Sequence, residues 1–163
     1  MRQNRISSGS QMRRTATRFS LSPALMIGAL LIACATAASA GQGLTLSNPR
    51  MRMVIPSRPA AGYFDLFNNS GTARELVGAS SPACGTLMLH KSIDQGGIDR
   101  MVMAGSVPVP AHGRVSFAPG GYHMMCMTPT PELKVGNSVP VTLRFGDGGT
   151  LSASFPVRGA TGK

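Results

Sequence analysis

From Leu44 to Phe155 no stretch repeats its apolar residues at the helical spacing of 3.6; the chain breaks instead into short runs of β-forming residues. Such runs cover residues 44–46, 61–67, 75–77, 86–90, 114–117, 139–145 and 151–155, and turn residues divide them: Asn68-Asn69-Ser70-Gly71, Gln95-Gly96-Gly97, Ala111-His112-Gly113, Pro119-Gly120-Gly121 and Asp147-Gly148-Gly149. In residues 139–145 the alternation is plain, with Val139, Val141, Leu143 and Phe145 on one face and Thr142 and Arg144 on the other. Pro140 places that run at a sheet edge or a strand end. Seven or eight short strands at intervals of roughly 8–12 residues predict an all-β Greek-key β-sandwich or barrel in one domain.

The first 20 residues hold five arginines and no acid, and an apolar run over 21–33 and a stretch of small residues over 34–40 follow. Basic, apolar, small is the layout of a secretory leader. The apolar run is shorter than the roughly 20 residues a membrane-spanning helix needs. Ala38-Ser39-Ala40 offers cleavage after Ala40, which makes residues 1–40 a signal peptide and 41–163 the mature domain. Leu31-Ile32-Ala33-Cys34 offers the other site, with Cys34 as a lipidated N-terminus and the membrane as a partner in that case alone.

Without residues 1–40 the chain keeps eleven basic residues against six acidic ones, a charge of +5 in place of +10. These basic residues are scattered, and with no Trp and two Tyr the chain lacks the basic, aromatic-studded stripe of a nucleic-acid surface. Six carboxylates and three histidines, with no Ser-His-Asp spacing, give no support for an enzyme. Roughly 120 residues suffice for one core without staples. Cys84 and Cys126 either pair, as an oxidising compartment permits, or remain separate buried thiols.

Chemistry is concentrated in methionine. Six of the chain's eleven methionines (Met88, Met101, Met103, Met124, Met125 and Met127) lie near His90 and His123 in sequence. Most strand methionines are packing. In His123-Met124-Met125-Cys126-Met127, however, strand parity turns His123 and Met125 to one face and Met124 and Cys126 to the other. The turn at Gln95-Gly96-Gly97 returns the chain so that Met101 comes near His90. Two imidazoles and two thioethers form a soft donor set that favours Cu(I) over zinc, calcium or magnesium. Thioethers neither ionise nor form disulfides, so they stay available outside the cytoplasm. Met103, on the same strand face as Met101, reads as packing beside the site ahead of a substitute ligand, Met88 and Met127 as further soft surroundings, His112 as a solvent-exposed turn residue, and Lys91 as a solvated charge.

The spacing His90, ten residues, Met101, 21 residues, His123-x-Met125 resembles the H(M)x10Mx21HxM motif of the PCu(A)C periplasmic copper chaperones. The flanks Ala60-Ala61-Gly62-Tyr63 and Pro119-Gly120-Gly121-Tyr122 are similar to that family's, and the likeness runs from about Leu44 to Val157. The resemblance implies a cupredoxin-like barrel acting as a periplasmic monomer that binds one Cu(I). The metal ligands it implies are His90, Met101, His123 and Met125. It further implies delivery to the copper-centre subunit of a cytochrome oxidase or to another copper chaperone. A copper buffer or resistance protein, and a blue-copper electron carrier with Cys126 as ligand, are the competing readings. Two positions depart from the family: Lys91 stands where an optional methionine follows the first histidine, and Pro49-Arg50 stands where Pro-Trp is common.

Overall fold

The structure, a computed structural model, describes residues 43–162. The leader assignment over 1–40 and the lipidation of Cys34 lie outside the described residues. Among the described residues there is no helix. The ten strands are β1 Leu44–Arg52, β2 Ala60–Asn68, β3 Arg74–Ser80, β4 Cys84–Asp94, β5 Asp99–Met103, β6 Val107–Val109, β7 Gly113–Phe117, β8 Tyr122–Pro129, β9 Ser138–Phe145 and β10 Thr150–Arg158. They form one hydrogen-bonded order, β5-β4-β8-β7-β2-β1-β10-β9-β3-β6, with β8 also pairing β2.

All seven runs read from the sequence lie within strands. Residues 123–127, read as a strand by their parity, lie in β8, and the count rises to ten because β5 and β6 sit at the two ends of the order, where a strand needs no buried face. Every residue of β5 is exposed, so it carries no apolar alternation to read. In β6, Pro108 faces Glu75 at an edge, where a missing N–H costs no ladder bond. Pro140 lies in β9, between β10 and β3, yet β3 pairs only with residues 142–145, so the proline is locally at an edge as expected.

β3 approaches β4, and β6 approaches β7, without hydrogen-bonding, so the sheet folds back and its two halves enclose the core. Phe64 and Phe117 stack there at 4.3 Å, with Phe155 edge-on to Phe64 at 5.9 Å. The alternating Val139, Val141, Leu143 and Phe145 are all buried. Asn68 is buried too, but it is satisfied: its amide donates to Thr72 O at 2.8 Å, and its carbonyl accepts from the Ser70 hydroxyl at 2.7 Å. That arrangement fixes the turn after β2.

Cys84 and Cys126 form a disulfide with Cα atoms 5.3 Å apart, which decides the alternative the sequence leaves open. Parity alone would turn Cys84 outward. Next to it, Thr128 takes a positive φ of 48°, and a Cβ on Gly85 would lie 3.1 Å from the Thr128 Cβ. The chain rotates at this point and the bridge closes inward.

Candidate metal centre

Three adjacent strands, β5, β4 and β8, carry His90, His123 and all six of the methionines near them. The β4–β5 hairpin turns on Gly96 and Gly97, with φ of 68° and 84°, values that suit glycine. Gln95 N–H donates to Ile98 O at 3.0 Å, and Gly97 N–H donates to Asp94 Oδ1 at 2.9 Å. This tight closure fixes the register: His90 faces Met103, and Ser92 faces Met101. On the other side of β4, His90 faces His123 and Met88 faces Met125.

Cross-strand partners share a face of the sheet. His90, His123, Met88, Met101, Met103 and Met125 therefore occupy one face, while Leu87, Leu89, Met124 and Cys126 are buried on the other. The four residues expected from the sequence do share a face. Their order differs from the simplest expectation, because Met103, not Met101, stands level with His90. Met103 is not packed beside the site either, being 70% exposed, against 62% for Met101.

The imidazoles of His90 and His123 meet edge to face with centroids 5.8 Å apart. His123 is only 5% exposed, and its Nδ1 lies 3.1 Å from Gly121 O. A proton on Nδ1 donated to that carbonyl leaves the Nε2 lone pair free, which is how a ligating histidine is commonly oriented. Both ring nitrogens of His90 are buried and bonded to no group. An unpaired buried imidazole is costly unless something occupies it, so the arrangement fits a metal. Burial first, and the nearby His123 second, hold the His90 pKa below the usual imidazole value, which keeps the ring neutral.

No group of three or more His, Cys, Asp or Glu side chains able to hold a metal occurs among the described residues. Any ion at this face would take its remaining donors from thioethers. Lys91 alternates to the opposite face, where its ammonium lies 5.1 Å from the Tyr122 ring centroid. His112 is exposed in its turn, as expected. Cys126 offers no thiolate, because the disulfide holds it on the core side.

The family described as LpqE-like matches residues 44–157. The chain belongs to the LpqE-like family. Its LpqE-like region spans every strand that builds the histidine–methionine face. One relative, Lxx21020 of Leifsonia xyli subsp. xyli, named as a candidate lipoprotein, is 36% identical over 103 residues, which cover 63% of this chain. The chain spans 62% of that relative's length. Among solved structures, the Cu(I) form of DR1885 from Deinococcus radiodurans is 35% identical, with a TM-score of 0.58, over 75% of this chain and 85% of that one. The copper-bound PCuAC domain of PmoF2 has a TM-score of 0.60 over 72% of this chain and 93% of that one. At 20% identity it shows likeness of fold alone. This LpqE-like chain thus has the all-β, cupredoxin-like architecture expected of it.

Proposed function

We propose that this protein is an exported copper chaperone that holds one Cu(I) on the β5-β4-β8 face and passes it to an acceptor. The ligands in this reading are His90, Met101, His123 and Met125. One observation carries it: a buried imidazole with both nitrogens unpaired meets a second imidazole 5.8 Å away, on a face otherwise rich in thioethers. Such a donor set suits Cu(I). The likeness to DR1885, whose solved form holds Cu(I), supports the choice of metal.

Export is supported by the leader pattern, by the disulfide and by the lipoprotein name of the Leifsonia relative. The acceptor in this reading is the copper-centre subunit of a cytochrome oxidase, or a further copper chaperone. The exchange is a plain ligand substitution: acceptor donors replace thioethers one at a time, and the copper keeps its oxidation state. A blue-copper electron carrier would need a cysteine thiolate ligand, and Cys126 is engaged in its disulfide.

The test is a Cu(I) titration of the purified protein against a competing chelator, repeated with His123→Ala. One tight equivalent, severely weakened in the variant, is the expected result. Equal binding by both proteins refutes the site. Normal oxidase activity in a deletion strain under copper limitation refutes delivery to the oxidase while leaving binding intact.

A further inference from the structure

An open groove of about 270 Å³ runs along the margin where β3 approaches β4. Its apolar lining includes Val77, Ala104 and two methionines of the histidine face, Met88 and Met103. Val77 and Met103 are both exposed. A single charged group lines the groove, the guanidinium of Arg144, and no carboxylate does. Arg144 stands beside Gly78 in the β9–β3 ladder. The missing side chain at Gly78 makes room for it, since a Cβ there would lie 2.8 Å from Nη2. The guanidinium therefore lies over β3, and among the described residues it has no hydrogen-bond, ion-pair or ring partner.

A free guanidinium offers a carboxylate two parallel N–H donors. Exposed apolar side chains around it are the surface a protein partner covers. The groove is smaller than the roughly 300–1,000 Å³ of pockets that enclose small ligands, so it fits one or two side chains of a larger molecule.

We infer that this groove receives an acidic segment of the copper acceptor, with a carboxylate on Arg144 and an adjoining apolar side chain against Val77 and Ala104. Met88 and Met103 border both the groove and the histidine face, so a segment seated here holds the acceptor's own donors beside the ion. The charges favour an acceptor over a donor. Bound Cu(I) adds a positive charge on the face adjoining Arg144, so an acidic partner is drawn most strongly to the full carrier. Its hold weakens once the ion has left. The inference rests on the copper reading proposed above.

The experiment follows Cu(I) transfer from the loaded protein to a short methionine-rich peptide carrying one aspartate, and to the same peptide with asparagine in its place. The carriers are the native protein, Arg144→Gln, Gly78→Ala and Lys134→Gln. Gly78→Ala keeps the charge but displaces the guanidinium, the movable end of a flexible side chain, so folding is not at issue. Lys134→Gln removes the same charge from a different hollow, beside Met53 and Pro56. All four should bind Cu(I) with equal affinity in competition titrations. At low salt, Arg144→Gln and Gly78→Ala should slow transfer to the aspartate peptide by at least about threefold, and transfer to the asparagine peptide should not change. The Gly78 and Ala104 amide resonances of the loaded native protein should shift with the aspartate peptide. Equal slowing by Arg144→Gln and Lys134→Gln, or none by either, overturns the inference while the copper site stands. A native protein that binds no Cu(I) overturns both.

Discussion

Breaking the Cys84–Cys126 bridge should destabilise the apo-protein by about 4 kcal/mol. The bridge closes a segment of 42 residues running from the start of β4, through β5, β6 and β7, to the interior of β8. Cross-linking removes chain entropy from the unfolded state as about −2.1 − 1.5R ln n, which for this loop gives roughly 13 cal/mol/K, or about 4 kcal/mol at 25 °C. In a domain of this size each kcal/mol moves Tm by about 3–5 °C, so the expected drop is roughly 12–20 °C. The assay is thermal unfolding of the apo-protein followed by circular dichroism, oxidised and then fully reduced, with the Cys84→Ala/Cys126→Ala variant as a second route to the unbridged chain. Below its lowered midpoint the unbridged protein should still bind one Cu(I), because the bridge lies on the core side of β8 and the donors on the other. An unchanged Tm after verified reduction refutes the entropic argument. Loss of copper binding in a folded, reduced sample refutes the separation of bridge and site.

His90 should titrate below the usual imidazole value in an NMR pH series, because burial and the nearby His123 both disfavour its charged form. With a depressed folded pKa, the unfolded state takes the proton first. Apo-protein stability therefore falls as the pH drops from about 6.5 through the His90 value, whereas above 6.5 the residue adds no pH dependence. A midpoint above 6.5 contradicts the burial. Gly62→Ala should cost about 1–3 kcal/mol in urea unfolding, since its Cβ would lie 2.6 Å from the Met124 Cε and 3.0 Å from the Met51 sulfur, both in the core behind the site. Phe64→Ala should cost about 3–5 kcal/mol by the same measurement, because the ring is buried against Phe117 and Phe155. A loss under 1 kcal/mol for Phe64→Ala would mean that the stack is not the centre of the core.

Strands with a buried face were legible in the sequence, because period-two alternation is the imprint of such a face. Residues 139–145 display it completely, and His123 to Met127 display it well enough to separate Met125 from Met124 and Cys126. Edge strands escaped, since β5 and β6 need no apolar side. The sharing of one face by His90, Met101, His123 and Met125 was readable from parity, whereas their order across the face was not. That order depends on how tightly the β4–β5 hairpin closes, and a shift by two residues leaves every parity unchanged while exchanging Met101 for Met103 beside His90. Counting outward from Gly96-Gly97 as the centre of the turn does pair residue 90 with residue 103, so the signal was there in the glycine pair. The inward turn of Cys84 had no such signal, because it arises from a local rotation at Thr128 that departs from strand alternation.

The position of β5 at the end of the sheet bears on how the domain breathes. It is held along one side only and has no buried residue, so its amides should exchange with solvent well before those of β4 and β8. An ion bound to a β5 sulfur and to both histidines would tie this fraying margin to the interior of the sheet. Cargo would then act as a fastening, slowing exchange along β5 when loaded and freeing the strand when unloaded. An acceptor meeting the protein would encounter a firm margin on the full carrier and a loose one on the empty carrier, a difference in motion that lets it tell the two apart.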